Sequence, residues 1–147
     1  MAERIEESVF NRLGFMINRA SWAVRRRISR VLESSGMNLT PEQWVAINVL
    51  YEREGICQTQ LADLMSREKA SITRMLENLV DQGLATKRPD PKDRRKHLIF
   101  LSPEGRAFRE EYFPKIFAEY RRLIQGIEDE DHQVAYAVLA RICRNAE

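Results

Sequence analysis

Residues 89–95 read Pro-Asp-Pro-Lys-Asp-Arg-Arg, and no other stretch narrows the choice of fold as much. Two prolines this close together remove backbone donors, which rules out a central strand and a helix interior alike. Aspartates at 90 and 93 favour turns closed by their own side chains. The flanking runs, 84–88 and 96–101, carry Leu84, Thr86, Leu98, Ile99, Phe100 and Leu101 and read as strands. The segment is therefore expected to be the tip of a β-hairpin.

Everything before that hairpin reads as helix. Residues 5–33 form a long amphipathic pattern in which Val9, Leu13, Met16, Ala20, Val24 and Val31 fall mostly at three- and four-residue steps. Phe10, Phe15 and Trp22 add apolar surface off that stripe, so the helix is expected to meet more than one neighbour. Ser34-Ser35-Gly36 ends it. Thr40-Pro41-Glu42-Gln43 is a strong helix start, with a capping threonine, proline in the first turn and glutamine at the capping-box position. Trp44, Ile47 and Leu50 give that helix its buried face. A short helix at about 58–65 follows, with Leu61, Ala62 and Leu64 inward, then a turn at Ser66-Arg67-Glu68. The next helix, 69–81, turns Ile72, Leu76, Leu79 and Val80 to the core, and Gly83 stops it.

After the hairpin the chain returns to helix. Ser102-Pro103 starts one in the same cap-then-proline manner, Pro114 is expected to kink it, and Gly126 breaks the pattern. Glu128 to Asp131 place negative charge at the start of the last helix, with Arg141 and Arg144 near its end, as the helix dipole favours. The expected fold class is mainly α with a small β-hairpin wing. The units are expected at 1–35, 36–102 and 103–147. The junctions near Gly36 and near Ser102, rich in Gly, Ser and Pro, are expected to act as hinges between them.

Net charge is only +2, but its distribution is uneven. Residues 84–101 hold six basic side chains against two acidic ones, the footprint of a nucleic-acid binder. Two distant cysteines, Cys57 and Cys143, argue against a disulfide framework and fit a reducing cytoplasm. No apolar run reaches the length of a membrane span, and the opening residues are too acidic and polar for a signal peptide.

Three short helices followed by a hairpin is the order of a winged helix-turn-helix. A helix fits the major groove, where each base pair presents a distinct donor and acceptor pattern. The outward side of helix 69–81 offers Lys69, Ser71, Thr73 and Arg74 near its N-terminal end. The hairpin tip offers Lys92, Arg94, Arg95 and Lys96 to phosphates or to an adjacent minor groove.

In three stretches the chain resembles the MarR family of bacterial regulators. These are Leu39-Thr40-Pro41-Glu42-Gln43-Trp44; then Ser71-Ile72-Thr73-Arg74-Met75-Leu76-Glu77-Asn78-Leu79 leading to Gly83-Leu84; then Arg88-Pro89-Asp90-Pro91-Lys92-Asp93-Arg94-Arg95 leading to Leu101-Ser102-Pro103-Glu104-Gly105. The last is similar to the family's wing signature, Asp-x-Arg followed by a strand and a Leu-Thr/Ser-x-x-Gly helix start. The resemblance implies that Arg95 enters the minor groove with Asp93 orienting it, and that Ser71, Thr73 and Arg74 lie at the major-groove surface. It implies a homodimer formed through the first helix and the last two, bound to a pseudo-palindromic double-stranded DNA operator. Many relatives are repressors released by small, often aromatic or phenolic, effectors.

Other functions fit less well. No nucleophile–base pairing, phosphate loop or metal motif points to an enzyme, and no cofactor is expected. His97 and His132 form no cluster with metal-ligand spacing. A protein-binding winged helix is the alternative, but its wing would carry apolar residues rather than Arg94 and Arg95. Arg25, Arg26, Arg27 and Arg30 read as a solvated helix face with ion pairs. Cys57 stands near a helix start where the family has Ser or Thr, and reads as an inert small hydrophobe. An effector pocket would draw on Phe15, Met16, Trp22 and Trp44, although apolar residues at helical spacing more commonly fill a core.

Overall fold

The computed structural model describes the backbone of residues 2–146 and the side chains of residues 12–146. The expected contributions of Val9 and Phe10 lie outside the described side chains. Helix α1 runs Ala2–Glu33, α2 Pro41–Glu52, strand β1 Ile56–Cys57, α3 Gln58–Leu64 and α4 Lys69–Asp81. Strands β2 (Ala85–Pro89) and β3 (His97–Leu101) form the hairpin, and α5 (Pro103–Leu123) and α6 (Asp129–Asn145) close the chain.

The helix signals act as their chemistry requires. Thr40 completes a capping box: its Oγ1 accepts from the Gln43 amide at 3.3 Å, and Gln43 Oε1 accepts from the Thr40 amide at 2.8 Å. The far end of Gln43, which is buried, donates to Asn78 Oδ1 at 2.6 Å and so ties α2 to α4. Gly83, at φ +73°, ends α4 with its own amide on Val80 O and the Leu84 amide on Leu79 O. Helix α5 continues through Pro114 as one element, so the expected kink does not divide it.

The sheet has three antiparallel strands in the order β1-β3-β2. The two-residue β1 pairs Ile56 with Ile99 and Cys57 with Leu98; it is too short to leave a period in the sequence. In β2 and β3, Ala85 faces Leu101, Lys87 faces Ile99 and Pro89 faces His97. One sheet face thus begins in the core with Ala85, Ile99 and Leu101 and ends outside it with Lys87 and His97.

A single core gathers α2, α3, α4, the sheet and the inner ends of α1 and α5. Ile47, Leu50, Leu61, Ile72, Leu76 and Leu79 are fully buried, whereas Leu64, expected inward, is exposed because α3 turns Leu61 and Ala62 to the core instead. Leu32 of α1 and Phe108, Tyr112 and Ile116 of α5 belong to the same core. Trp44 meets Phe108 edge-on at 6.4 Å, and Phe108 stacks on Tyr112 at 4.5 Å. Helix α6 buries no residue at all in the protomer. Among the described residues no helix is long and apolar enough to cross a membrane.

Candidate nucleic-acid interface

Two elements build the site. The first is the N-terminal half of α4, where Ile72, Leu76 and Leu79 face inward and Lys69, Ser71 and Arg74 are left exposed. The turn that aims α4 is held by Ser66 in the left-handed region, φ +49°. The Ser66 amide donates to Asp63 O and the Arg67 amide to Ala62 O. Thr73 behaves differently from its neighbours. Its hydroxyl donates to Lys69 O at 2.9 Å and accepts from Gln58 Nε2, which also donates to Lys69 O. That hydroxyl therefore locks α3 to α4 and is less free to meet a base than Ser71 or Arg74.

The second element is the wing tip, where the two aspartates do the folding. Asp90 Oδ1 accepts from the Lys92 amide at 2.8 Å, and the Asp90 amide donates to Lys96 O at 2.9 Å. Asp93 Oδ1 accepts from the Arg95 amide at 3.1 Å and from Arg95 Nε at 3.3 Å. The Arg95 side chain is 92% exposed, so the carboxylate aims a guanidinium that otherwise stands in solvent. Lys92, Arg94 and Lys96 are exposed around it. Arg88, on β2, lies over the Phe100 ring at 4.9 Å.

The two elements meet in a concave notch of about 420 Å³. Lys69 comes to it from α4, Arg95 and Lys96 from the wing, and Lys87 and His97 from the outer end of the sheet face. Gln58, Thr59 and Gln60 supply neutral hydrogen-bonding groups from α3. Among the described residues, four cations and no carboxylate line this notch, which suits a sugar–phosphate strand. Lys87 and the α3 residues were missed in the sequence. Lys87 follows from the strand alternation that starts at buried Ala85, but the part played by α3 depends on tertiary packing. Cys57, half-buried, stands at the N-cap position of α3 and lines the notch, its amide donating to Gln60 Oε1 at 2.9 Å.

The four residues considered for an effector pocket do not meet in one cavity. Met16 lines a groove of about 780 Å³ between α1, α6 and the start of α2. Trp44 is core and shows one edge to a small cavity of about 170 Å³ beside Phe113 and Phe117. Trp22, 67% exposed, stands among Arg19, Arg26 and Arg30 on another side of α1. Phe15 is exposed under the Arg19 guanidinium. The arginines of α1 divide: Arg25 pairs with Glu42 and Arg27 with Glu119, as expected of an ion-paired face.

Comparison with known proteins agrees with this geometry. The model of the MarR family matches residues 39–97, which span α2 through the first residue of β3. A proposed transcriptional regulator for the hcr operon of Thauera aromatica is 28% identical over 71% of this chain and 63% of its own length, so the match spans less than two thirds of that relative. The transcriptional repressor YetL of Bacillus subtilis is 25% identical over 79% of this chain and 72% of its own. Among solved structures, the transcriptional repressor CouR bound to a 23-mer DNA duplex aligns over 89% of this chain and 92% of its own, with 26% identity and a TM-score of 0.78.

Proposed function

The chain belongs to the MarR family of transcriptional regulators, and from that premise we propose that it is a homodimeric, sequence-specific binder of duplex DNA that represses transcription until a small molecule releases it. The observation that carries the reading is the convergence of Lys69, Lys87, Arg95 and Lys96 on one notch beside the exposed Ser71 and Arg74. The notch grips the backbone, α4 enters the major groove, and Arg95, held by Asp93, reaches into the minor groove beside it. Arg94 and Lys92 add phosphate contacts.

The second copy is called for by α6. Val134, Tyr136 and Ile142 are all exposed on a helix with no buried residue, and Phe15 and Trp22 are exposed on α1. Covering such surface stabilises at roughly 25 cal/mol per Å². We assign DNA binding to residues 36–102 and dimer formation to 1–35 and 103–147. Selection of bound sequences from a random duplex pool tests the reading. The expected result is a pseudo-palindrome with half-sites one helical turn, about 34–36 Å, apart. An unenriched pool, or binding that is indifferent to salt, would refute it. Ultracentrifugation at micromolar concentration is expected to show a dimer.

A further inference from the structure

The notch between α4 and the wing holds His97 beside its four permanent cations, and the register of the hairpin puts it there. His97 pairs with Pro89 and Lys87 pairs with Ile99, so Lys87 and His97 are diagonal neighbours on one face of the sheet, roughly 7–8 Å apart. Ile99 closes the inner end of that face and is buried, whereas His97 at the outer end is exposed. Arg95 and Lys96 precede His97 in the chain, and Lys69 comes to the notch from α4. Cys57 brings a thiol from the start of α3. The acidic residues of the wing are engaged elsewhere: Asp90 holds the Lys92 amide, Asp93 holds Arg95, and neither lines the notch.

We propose that His97 is a proton-linked phosphate ligand, through which the affinity for duplex rises as pH falls; this rests on the DNA-binding reading above. Histidine is the side chain that ordinarily changes charge between about pH 5 and 8. A neutral imidazole has one N–H donor and no charge, and its protonated form has two donors and a positive charge. Either form can donate to a phosphate oxygen. Only the protonated form adds attraction between opposite charges and a charge-assisted hydrogen bond. A sugar–phosphate strand seated in the notch therefore binds protein with His97 protonated more tightly than protein with His97 neutral.

The direction follows from linkage. Whatever binds the protonated form more tightly takes up protons on binding, so affinity is greatest at low pH and is lost as pH rises through the histidine range. Lysine and arginine keep their charge across that range, so the other four cations supply a constant background. A thiol ordinarily ionises near pH 8.5, so at or below about pH 7.5 the imidazole is the group of the notch that changes. An exposed ion pair changes affinity by up to about fivefold. About threefold for each wing gives roughly tenfold for a dimer with two wings on one duplex.

Fluorescence anisotropy of the full-length protein with the selected duplex, at fixed ionic strength between pH 5.5 and 7.5, tests this. Wild-type affinity is expected to fall about tenfold across the range. His97→Gln, at an exposed position, is expected to show the weaker affinity at both ends, and His97→Lys the tighter affinity at both ends. His132→Gln, which removes the other histidine of the chain, is expected to keep the tenfold fall. The dependence of log affinity on log salt is expected to be steeper at pH 5.5 than at pH 7.5 by about one unit per wing in the wild type, and equal at the two pH values in His97→Gln. A merely structural histidine would not move that slope. A tenfold fall that survives in His97→Gln, or that disappears in His132→Gln, would overturn the assignment. Duplex binding that is present but indifferent to pH would sink this inference alone. Absence of duplex binding at every pH would take the DNA-binding reading with it.

Discussion

Replacing Asp93 with alanine sets two physical effects against each other. The substitution removes a negative charge from a wing that approaches phosphates. For a phosphate about 10 Å away, that repulsion is only ~0.4 kcal/mol in water. Screening over a Debye length of about 8 Å at physiological salt reduces it further. Against this, Asp93 Oδ1 holds both the Arg95 amide and Arg95 Nε, at 3.1 and 3.3 Å. An exposed pair of this kind contributes about 0.2–1 kcal/mol. Its loss also frees a side chain that carries about 2 kcal/mol of rotamer entropy, part of which must then be given up on binding. We expect a net cost of about 0.5–1 kcal/mol per wing and ~1–2 kcal/mol for a dimer, or roughly five- to thirtyfold weaker binding. Fluorescence anisotropy with the selected duplex would measure it. Arg95→Ala should cost more than Asp93→Ala, and Arg25→Ala less than Arg95→Ala. Tighter binding by Asp93→Ala would show that charge outweighs orientation and that Asp93 does not position Arg95.

Other substitutions probe the remaining parts. Arg74→Ala should change the selected sequence at particular base pairs by about 1–3 kcal/mol, whereas Thr73→Val, at a hydroxyl already engaged by Gln58 and Lys69, should lower stability more than it alters the sequence profile. Lys87→Ala should weaken all duplexes about equally and flatten the dependence of log affinity on log salt by about one unit per site lost. Gly105→Ala should destabilise strongly, by about 2–3 kcal/mol, in thermal unfolding at fixed protein concentration, because a methyl there would overlap Leu84 O and lie 2.9 Å from Leu84 C. Gly14→Ala, in a helix with open space around it, should instead raise stability by about 0.5–1 kcal/mol.

What could be read in the chain was local chemistry. The caps at Thr40 and Ser102, the stop at Gly83 and the aspartate turns of the wing are each set by a few neighbouring side chains, and each stands where expected. The exposed face of α4 was equally legible, because Ile72, Leu76 and Leu79 leave only one side free. Features that depend on distant partners were not. Strand β1 exists only because β3 is there to pair with it. The hydroxyl of Thr73 is engaged by a glutamine fifteen residues away. Trp44, which has the composition of a pocket residue, is held in the core by Phe108, and exposed Trp22 lies among arginines. An aromatic residue at helical spacing carries no mark of which neighbour it will meet.

The junctions show most clearly why composition misleads about motion. Serine, proline and glycine at 102–105 suggest a hinge between the winged lobe and the following helix. In the structure this is among the most tightly held points. Ser102 is buried; its Oγ donates to Gly83 O at 2.5 Å and accepts from the Gly105 amide at 2.9 Å, while its own amide donates to Leu84 O at 3.0 Å. Gly105 is small because α5 crosses directly over the Leu84 backbone. Leu32, Phe108, Tyr112 and Ile116 then carry the lobe's core into α1 and α5. The lobe therefore cannot swing freely about residues 36 and 102 without opening that core. A change in spacing between two recognition helices must come from parts beyond it, the first half of α1, the end of α5, and α6. Hydrogen exchange should follow this division. The Ser102 and Gly105 amides should exchange only with global unfolding, whereas the amides of α6 should exchange faster and become protected as the protein concentration rises. Fast exchange at Ser102 in the assembled protein would restore the hinge and refute this account of the motion.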